Sequence, residues 1–189
     1  DVAAATELGV VVINVPDVWV REVANHALAL LLAWNRKIVR LDRDVHAGGW
    51  SSPGPGPVTG SLHGETVGIV GLGNIGSAFA RRIAALETRV IACDPYVDDA
   101  RLKSLGVERV DLPTLAARAD YVSVHALLNA ETRGLIGEAF LRRMKPSACL
   151  INTSRGPVVD ETALAHALRE GWLAGAALDV FEQEPLPAG

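Results

Sequence analysis

Three glycines carry the first chemical signal. Gly71, Gly73 and Gly76 stand at G-x-G-x-x-G spacing in Gly71-Leu72-Gly73-Asn74-Ile75-Gly76, directly after the apolar run Thr66-Val67-Gly68-Ile69-Val70. The first glycine allows a tight turn, the second a close backbone approach to a pyrophosphate, and the third close packing of helix on strand. Asn74 and Ile75 open the helix that follows. The N–H groups of that first turn have no partner within the helix, and about half a positive charge of macrodipole lies behind them, so a diphosphate fits there. A second strand, Arg89-Val90-Ile91-Ala92-Cys93, ends in Asp94, roughly 20 residues past the glycines, as a dinucleotide-binding unit requires. Asp94 can accept hydrogen bonds from both hydroxyls of an adenosine ribose and would repel a 2′-phosphate. No arginine follows until Arg101, so NAD is favoured over NADP. A plain glycine turn with an incidental surface aspartate would need neither the strand before it nor the helix after it.

In open α/β sheets ligands gather beyond the carboxyl ends of the strands. The other candidates are therefore His125, the run Thr153-Ser154-Arg155-Gly156, and Asp179 onward to Glu184. Arg155 follows a fully apolar strand and sits beside glycine, where a planar guanidinium could grip a carboxylate with two parallel hydrogen bonds. It could equally cap helix carbonyls or pair with a nearby acid. Glu184, before Pro185, reads on its own as an exposed acid.

The elements that must position these residues alternate from Thr66 onward. The pattern predicts a helix over roughly 74–86, short helices at Asp99–Leu105 and Leu112–Arg118, strand Tyr121–His125, helix Glu138–Met144, strand Ala148–Asn152, helix Asp160–Glu170 and strand Gly175–Asp179. This is the signature of an α/β fold with a doubly wound parallel sheet, a Rossmann-type NAD-binding domain. Upstream, Ala3–Gly9 reads as a helix end and Val10–Asn14 as a short buried strand. A long helix is expected from Asp17–Glu22 to about Ala47, apolar on every face between Ala27 and Ala33 and so covered all round. Trp34 and Trp50 fit either a subunit interface or ordinary packing. Ser51–Ser61 is an irregular Pro/Gly arm.

A chain of 189 residues fits one large domain, and 49% hydrophobic with 21% charged residues is ordinary for a globular protein. A net charge of −4 gives no electrostatic case for nucleic acid or an anionic membrane as partner. Cys93 and Cys149, each inside an apolar run, read as buried inert thiols. They suggest neither a disulfide framework nor a zinc site. No signal-like segment or bilayer-length apolar run is present, which makes the cytoplasm the expected compartment.

Three blocks resemble, in order and at plausible spacing, the D-isomer-specific 2-hydroxyacid dehydrogenases. They are Gly71–Gly76, Asn152-Thr153-Ser154-Arg155-Gly156-Pro157-Val158-Val159-Asp160-Glu161, and Ala177-Leu178-Asp179-Val180-Phe181-Glu182-Gln183-Glu184-Pro185. Asn14-Val15-Pro16 with Glu22–Ala27 is similar to the segment that leads this family's chain into its cofactor domain. The resemblance implies hydride transfer between NAD and C2 of a small 2-hydroxy or 2-keto acid. It places the substrate-binding arginine on Arg155 and the glutamate that orients a catalytic histidine on Glu184. It places the residue bonding the nicotinamide carboxamide on Asp179, helped by backbone around Thr153 and Arg155, and a cleft-lining residue on His125. It also implies a homodimer formed through the long helix 17–49 and the arm 50–61.

Two features depart from the family pattern. His125-Ala126-Leu127 lacks the usual proline two residues after the histidine. The general acid/base histidine is expected beyond Glu184, and none of the five histidines stands in that context. The expectation is a chain truncated at both ends, with residues 1–15 leaving an unseen substrate domain. Acid/base catalysis contributes about 10² to 10⁴ in rate, so this chain should bind NAD with little turnover. A second reading is an NAD-sensing interaction protein like the C-terminal-binding-protein corepressors, which share the dehydrogenase fold.

Overall fold

The run Thr66–Val70 forms β1, because alternate residues of this β-branched stretch face helices on both sides of a sheet and all but Thr66 are buried. The computed structural model describes residues 1–15, 17–50 and 60–186. Before β1 lie α1 (Val2–Glu7), α2 (Val20–Asn35) and α3 (Ile38–His46). After it come α4 (Asn74–Ala84), β2 (Arg89–Cys93), α5 (Asp99–Leu105), β3 (Glu108–Arg109), α6 (Leu112–Arg118), β4 (Tyr121–Val124), α7 (Glu138–Leu141), β5 (Cys149–Asn152), α8 (Glu161–Arg169) and β6 (Gly175–Leu178), with a 3-10 turn at Gly156–Val158.

All the pairings within the sheet are parallel, and the strand order is β3-β2-β1-β4-β5-β6. The order reverses between β1 and β4, which opens a crevice at their carboxyl ends. One core lies under α6, α7 and α8 and holds Val122, Val124 and Leu150; the other lies under α2, α4 and α5 and holds Val67, Ile69 and Ile151. Leu150 and Ile151 point to opposite faces, as the two-residue period of a strand demands.

Several expectations are corrected. Val10–Asn14 is not a strand: no strand pairs with it among the described residues, and Val11 and Ile13 are each 85% exposed. An apolar run becomes a strand only where another strand supplies its ladder. The single helix 17–49 is two helices. Lys37 has a left-handed backbone (φ 54°), and its ammonium lies 3.8 Å from the centroid of a Trp34 ring. No glycine or proline marks that break. The described residues of this chain cover the apolar middle of α2 only in part: Ala27 and Leu31 are buried, Leu28, Leu30 and Leu32 partly so, and Ala29 is exposed. The helix expected over Glu138–Met144 stops at Leu141, and β3 is an element the pattern does not signal. Most of the expected Pro/Gly arm, residues 51–59, lies outside the described residues. Cys149 is buried, which pushes its thiol up to about 12, and Cys93 is partly buried and raised for the same reason.

Candidate functional site

The register sets the site. Cys93, Val70, Val124, Asn152 and Leu178 are paired side by side across β2, β1, β4, β5 and β6. The next residues along these strands are Asp94, Gly71, His125, Thr153 and Asp179, so all five stand in one row along the carboxyl edge. The ladder continues one step further, with Gly71 N donating to Cys93 O (3.0 Å), His125 N to Val70 O (2.8 Å) and Asp179 N to Asn152 O (3.0 Å).

Within the row, beside Asp94, Gly71 has φ +90°, and a Cβ there would stand 2.7 Å from Ala126 N. A Cβ on Gly76 would overlap the carbonyl oxygen of Gly71, so α4 and the loop touch backbone to backbone. Gly73 differs: its Cβ would meet nothing within 4 Å. Gly73 is also the N-cap of α4 and offers no side chain to the first turn. Asn74 is exposed and donates to Asp17 Oδ1 (3.1 Å), while Ile75 is partly buried against the core under α2 and α4. Arg101 donates from Nε to Ser77 Oγ (3.0 Å) and from Nη2 to Gly73 O (3.3 Å), so it is bonded to the loop itself.

Toward β2, the Asp94 carboxylate accepts the N–H groups of Leu72 (2.6 Å) and Tyr96 (2.8 Å). It ties the glycine loop to the β2 exit and keeps further lone pairs for a ligand. A cleft of about 730 Å³ opens here between Gly73, Asp94, Val110, His125 and Leu127. Arg109 braces its wall by donating to Asp94 O (3.0 Å) and to Asp99 Oδ1 (2.9 Å). The Tyr96 hydroxyl donates to Glu131 Oε2 (3.0 Å), which raises the phenol above its ordinary range. His125 hydrogen-bonds through Nε2 with Ser123 Oγ (2.9 Å), and its ring centroid lies 5.2 Å from that of Phe79. Burial with no charged partner pushes its pKa down to about 4, so the ring is neutral at pH 7.

Toward β6, buried Asn152 shapes the turn that presents Arg155. Its Oδ1 accepts from Ser154 N (3.0 Å) and Ser154 Oγ (2.9 Å), and its Nδ2 donates to Arg155 O (3.1 Å). Arg155 is exposed and, among the described residues, donates only locally, from Nη1 to Ser154 O (2.6 Å). A Cβ on Gly156 would run into the backbone carbonyl of Phe181, so the arginine turn lies directly against the segment leading to Glu184. Exposed Glu184 accepts the Phe181 N–H (2.8 Å), and Glu161 accepts the Glu182 N–H (2.5 Å). Asp179 pairs with His26 of α2, Nε2 to Oδ1, at 3.2 Å.

The fit to a dinucleotide has a direct sign. The Thr153 hydroxyl is buried within the row, between His125 and Asp179, with no hydrogen-bond partner among the described residues. A buried hydroxyl is normally satisfied, so this one points to a polar group that arrives with a ligand. Residues 28–189 match the family model described as D-isomer specific 2-hydroxyacid dehydrogenase, NAD binding domain. The chain belongs to that family. As one of its NAD-binding domains, it is 48% identical to a glyoxylate reductase of Korarchaeum cryptofilum, over 99% of this chain and 57% of that protein. It is 47% identical to a D-3-phosphoglycerate dehydrogenase of Mycobacterium leprae, over 98% of this chain and 35% of that one. Its fold matches a D-lactate dehydrogenase with NAD+ from Lactobacillus jensenii at a TM-score of 0.87 and 31% identity, over 97% of this chain and 55% of that chain. The chain thus spans about half or less of the length of these relatives.

The sheet brings Gly71, Asp94, His125, Thr153 and Asp179, each named from the sequence, to one edge, whereas the sequence gives no role to Asn152, Gly156, Glu161 or Arg109. Asn152 carries a legible signal, a polar amide closing an apolar strand. The other three act through contacts distant in sequence. Among the described residues no helix is long and apolar enough to cross a membrane.

Proposed function

We propose that the protein carrying this domain is an NAD-dependent oxidoreductase acting at C2 of small D-2-hydroxy and 2-keto acids. The observation that carries this reading is the single row Asp94, Gly71, His125, Thr153, Asp179, with the Arg155 turn beyond it. Asp94 accepts the adenosine ribose hydroxyls. Gly71, Gly73, Asn74, Ile75 and Gly76 form the diphosphate seat, where the exposed N–H groups and the helix dipole favour negative charge. Neutral His125 walls the cleft without adding charge. The Thr153 hydroxyl and the Asp179 carboxylate receive the nicotinamide end. Bound NAD supplies the hydride acceptor, or as NADH the hydride donor.

Arg155 holds the substrate carboxylate in a two-pronged grip and polarises the neighbouring carbonyl. Glu184, beside that turn, orients a histidine supplied from outside residues 1–189. The test is loss of NADH absorbance with glyoxylate, hydroxypyruvate or pyruvate, measured on the full gene product. Losing hydrogen bonds to a charged group costs about 1.5–3 kcal/mol, so Arg155→Ala should lower kcat/KM by about tenfold to 150-fold. Unchanged activity would remove Arg155 from the role.

We further propose a homodimer through α2, α3 and the arm after them. α3 buries none of its residues, and Ile38, Val39, Val45 and Trp50 are exposed apolar side chains on that side of the chain. Sedimentation should give twice the chain mass at micromolar concentration; a monomer at high concentration would refute it. The exposed valines of residues 10–15 support their packing on a substrate domain, and the free thiols of Cys93 and Cys149 favour a reducing compartment, the cytoplasm.

A further inference from the structure

Asp179 sits at the end of β6, an edge strand, with its carboxylate about half exposed. Left alone, such a side chain samples several rotamers, and only some would face a ligand on the carboxyl edge. His26 removes that freedom by holding Oδ1 at 3.2 Å from its Nε2.

The contact follows from how α2 lies on the sheet. A Cβ on Gly175 at the start of β6 would strike the Trp34 ring, so helix and strand touch closely there. From Trp34 back to His26 is eight helical residues, a rise of about 12 Å. From Gly175 on to Asp179 is four strand residues, about 13 Å. Helix and strand run antiparallel in matched register, and the second contact falls one residue past the end of β6. The helix is itself anchored. Ala24 and Ala27, flanking His26, are fully buried; Asn25 accepts from Arg82 (2.7 Å); Asn35 donates to the Tyr121 hydroxyl (2.9 Å). His26 therefore projects from a fixed platform.

We infer that His26 is a positioning residue: it engages Oδ1 of Asp179 and leaves Oδ2 directed to the amide N–H of the nicotinamide carboxamide. This role rests on the reading of Asp179 as the carboxamide acceptor. It confines the effect of His26 to the nicotinamide half of the cofactor, because the adenosine half is held at Asp94, four strands away across the sheet.

The experiment compares NADH with ADP-ribose, which lacks the nicotinamide, in calorimetric titrations of the protein and of His26→Leu, His26→Gln and Asp179→Ala. A half-exposed pair carries modest energy, so His26→Leu should weaken NADH by about threefold to fivefold and leave ADP-ribose unchanged. His26→Gln, whose amide N–H reaches about as far as Nε2, should restore most of the NADH affinity. Unchanged NADH binding in His26→Leu overturns the inference. So does equal weakening of both ligands, which would mark a merely structural role, or failure of His26→Gln to restore affinity. Intact NADH binding in Asp179→Ala overturns the reading of Asp179 instead, and failure of ADP-ribose to bind the unmodified protein overturns the cofactor site as a whole.

Discussion

Gly73→Ala separates folding from cofactor binding. At Gly73 the backbone is extended (φ −65°, ψ −157°), and an added Cβ meets no atom within 4 Å. The methyl therefore costs the folded chain no clash. The unfolded chain loses freedom, which raises stability by about 0.4–1 kcal/mol where the native backbone tolerates alanine. For a domain of this size that is a rise in Tm of at most about 4 °C. The same methyl stands in open space at the start of α4, where the proposed diphosphate seat brings the ligand close to the N–H groups of Asn74 and Ile75. Displacing it from one charge-assisted hydrogen bond costs about 1.5–3 kcal/mol, or roughly tenfold to 150-fold in the NAD dissociation constant. Thermal melting by circular dichroism and calorimetric titration with NAD measure the two effects independently. Wild-type NAD affinity in a folded Gly73→Ala protein would refute the placement of the diphosphate. Gly76→Ala is the control with the opposite signature: its Cβ overlaps the Gly71 carbonyl, so Tm should fall before any ligand is added.

Two further outcomes follow from the same geometry. The unfolded chain protonates His125 near its ordinary value of 6.5, while the folded chain withholds the proton until about pH 4. The contribution of this residue to stability is thus complete above pH 6.5. It is lost at up to about 1.4 kcal/mol per unit as pH falls through that window, roughly 3 kcal/mol in all. Urea unfolding of the protein and of His125→Gln between pH 7 and 4 should diverge by this slope, and parallel curves would refute the buried neutral ring. Asn152→Ala removes three hydrogen bonds at a fully buried site and should destabilise by about 2 kcal/mol in urea unfolding; a change under about 0.5 kcal/mol would show that the Arg155 turn holds itself.

Local chemistry is what the sequence carries by itself. The continuous apolar runs at 66–70, 89–93 and 149–152, the helical stretches between them, the glycine loop and the acid closing the second strand are all legible, because each depends on residues within a few positions of one another. Strand order and register are not local quantities. Whether Asp94, Gly71, His125, Thr153 and Asp179 form a row depends on which strands pair and in what alignment, and only the packed sheet decides that. The same holds for the Val10–Asn14 run, which has strand composition but no partner strand among the described residues, and for the break at Lys37, where nothing in composition marks the turn. It holds most for His26 and Asp179. They are 153 positions apart in the chain (179 − 26), and their contact exists because a helix and a strand laid antiparallel come into step after about 12 Å. Side chains distant in sequence acquire a common chemistry only when tertiary packing fixes the distance between them.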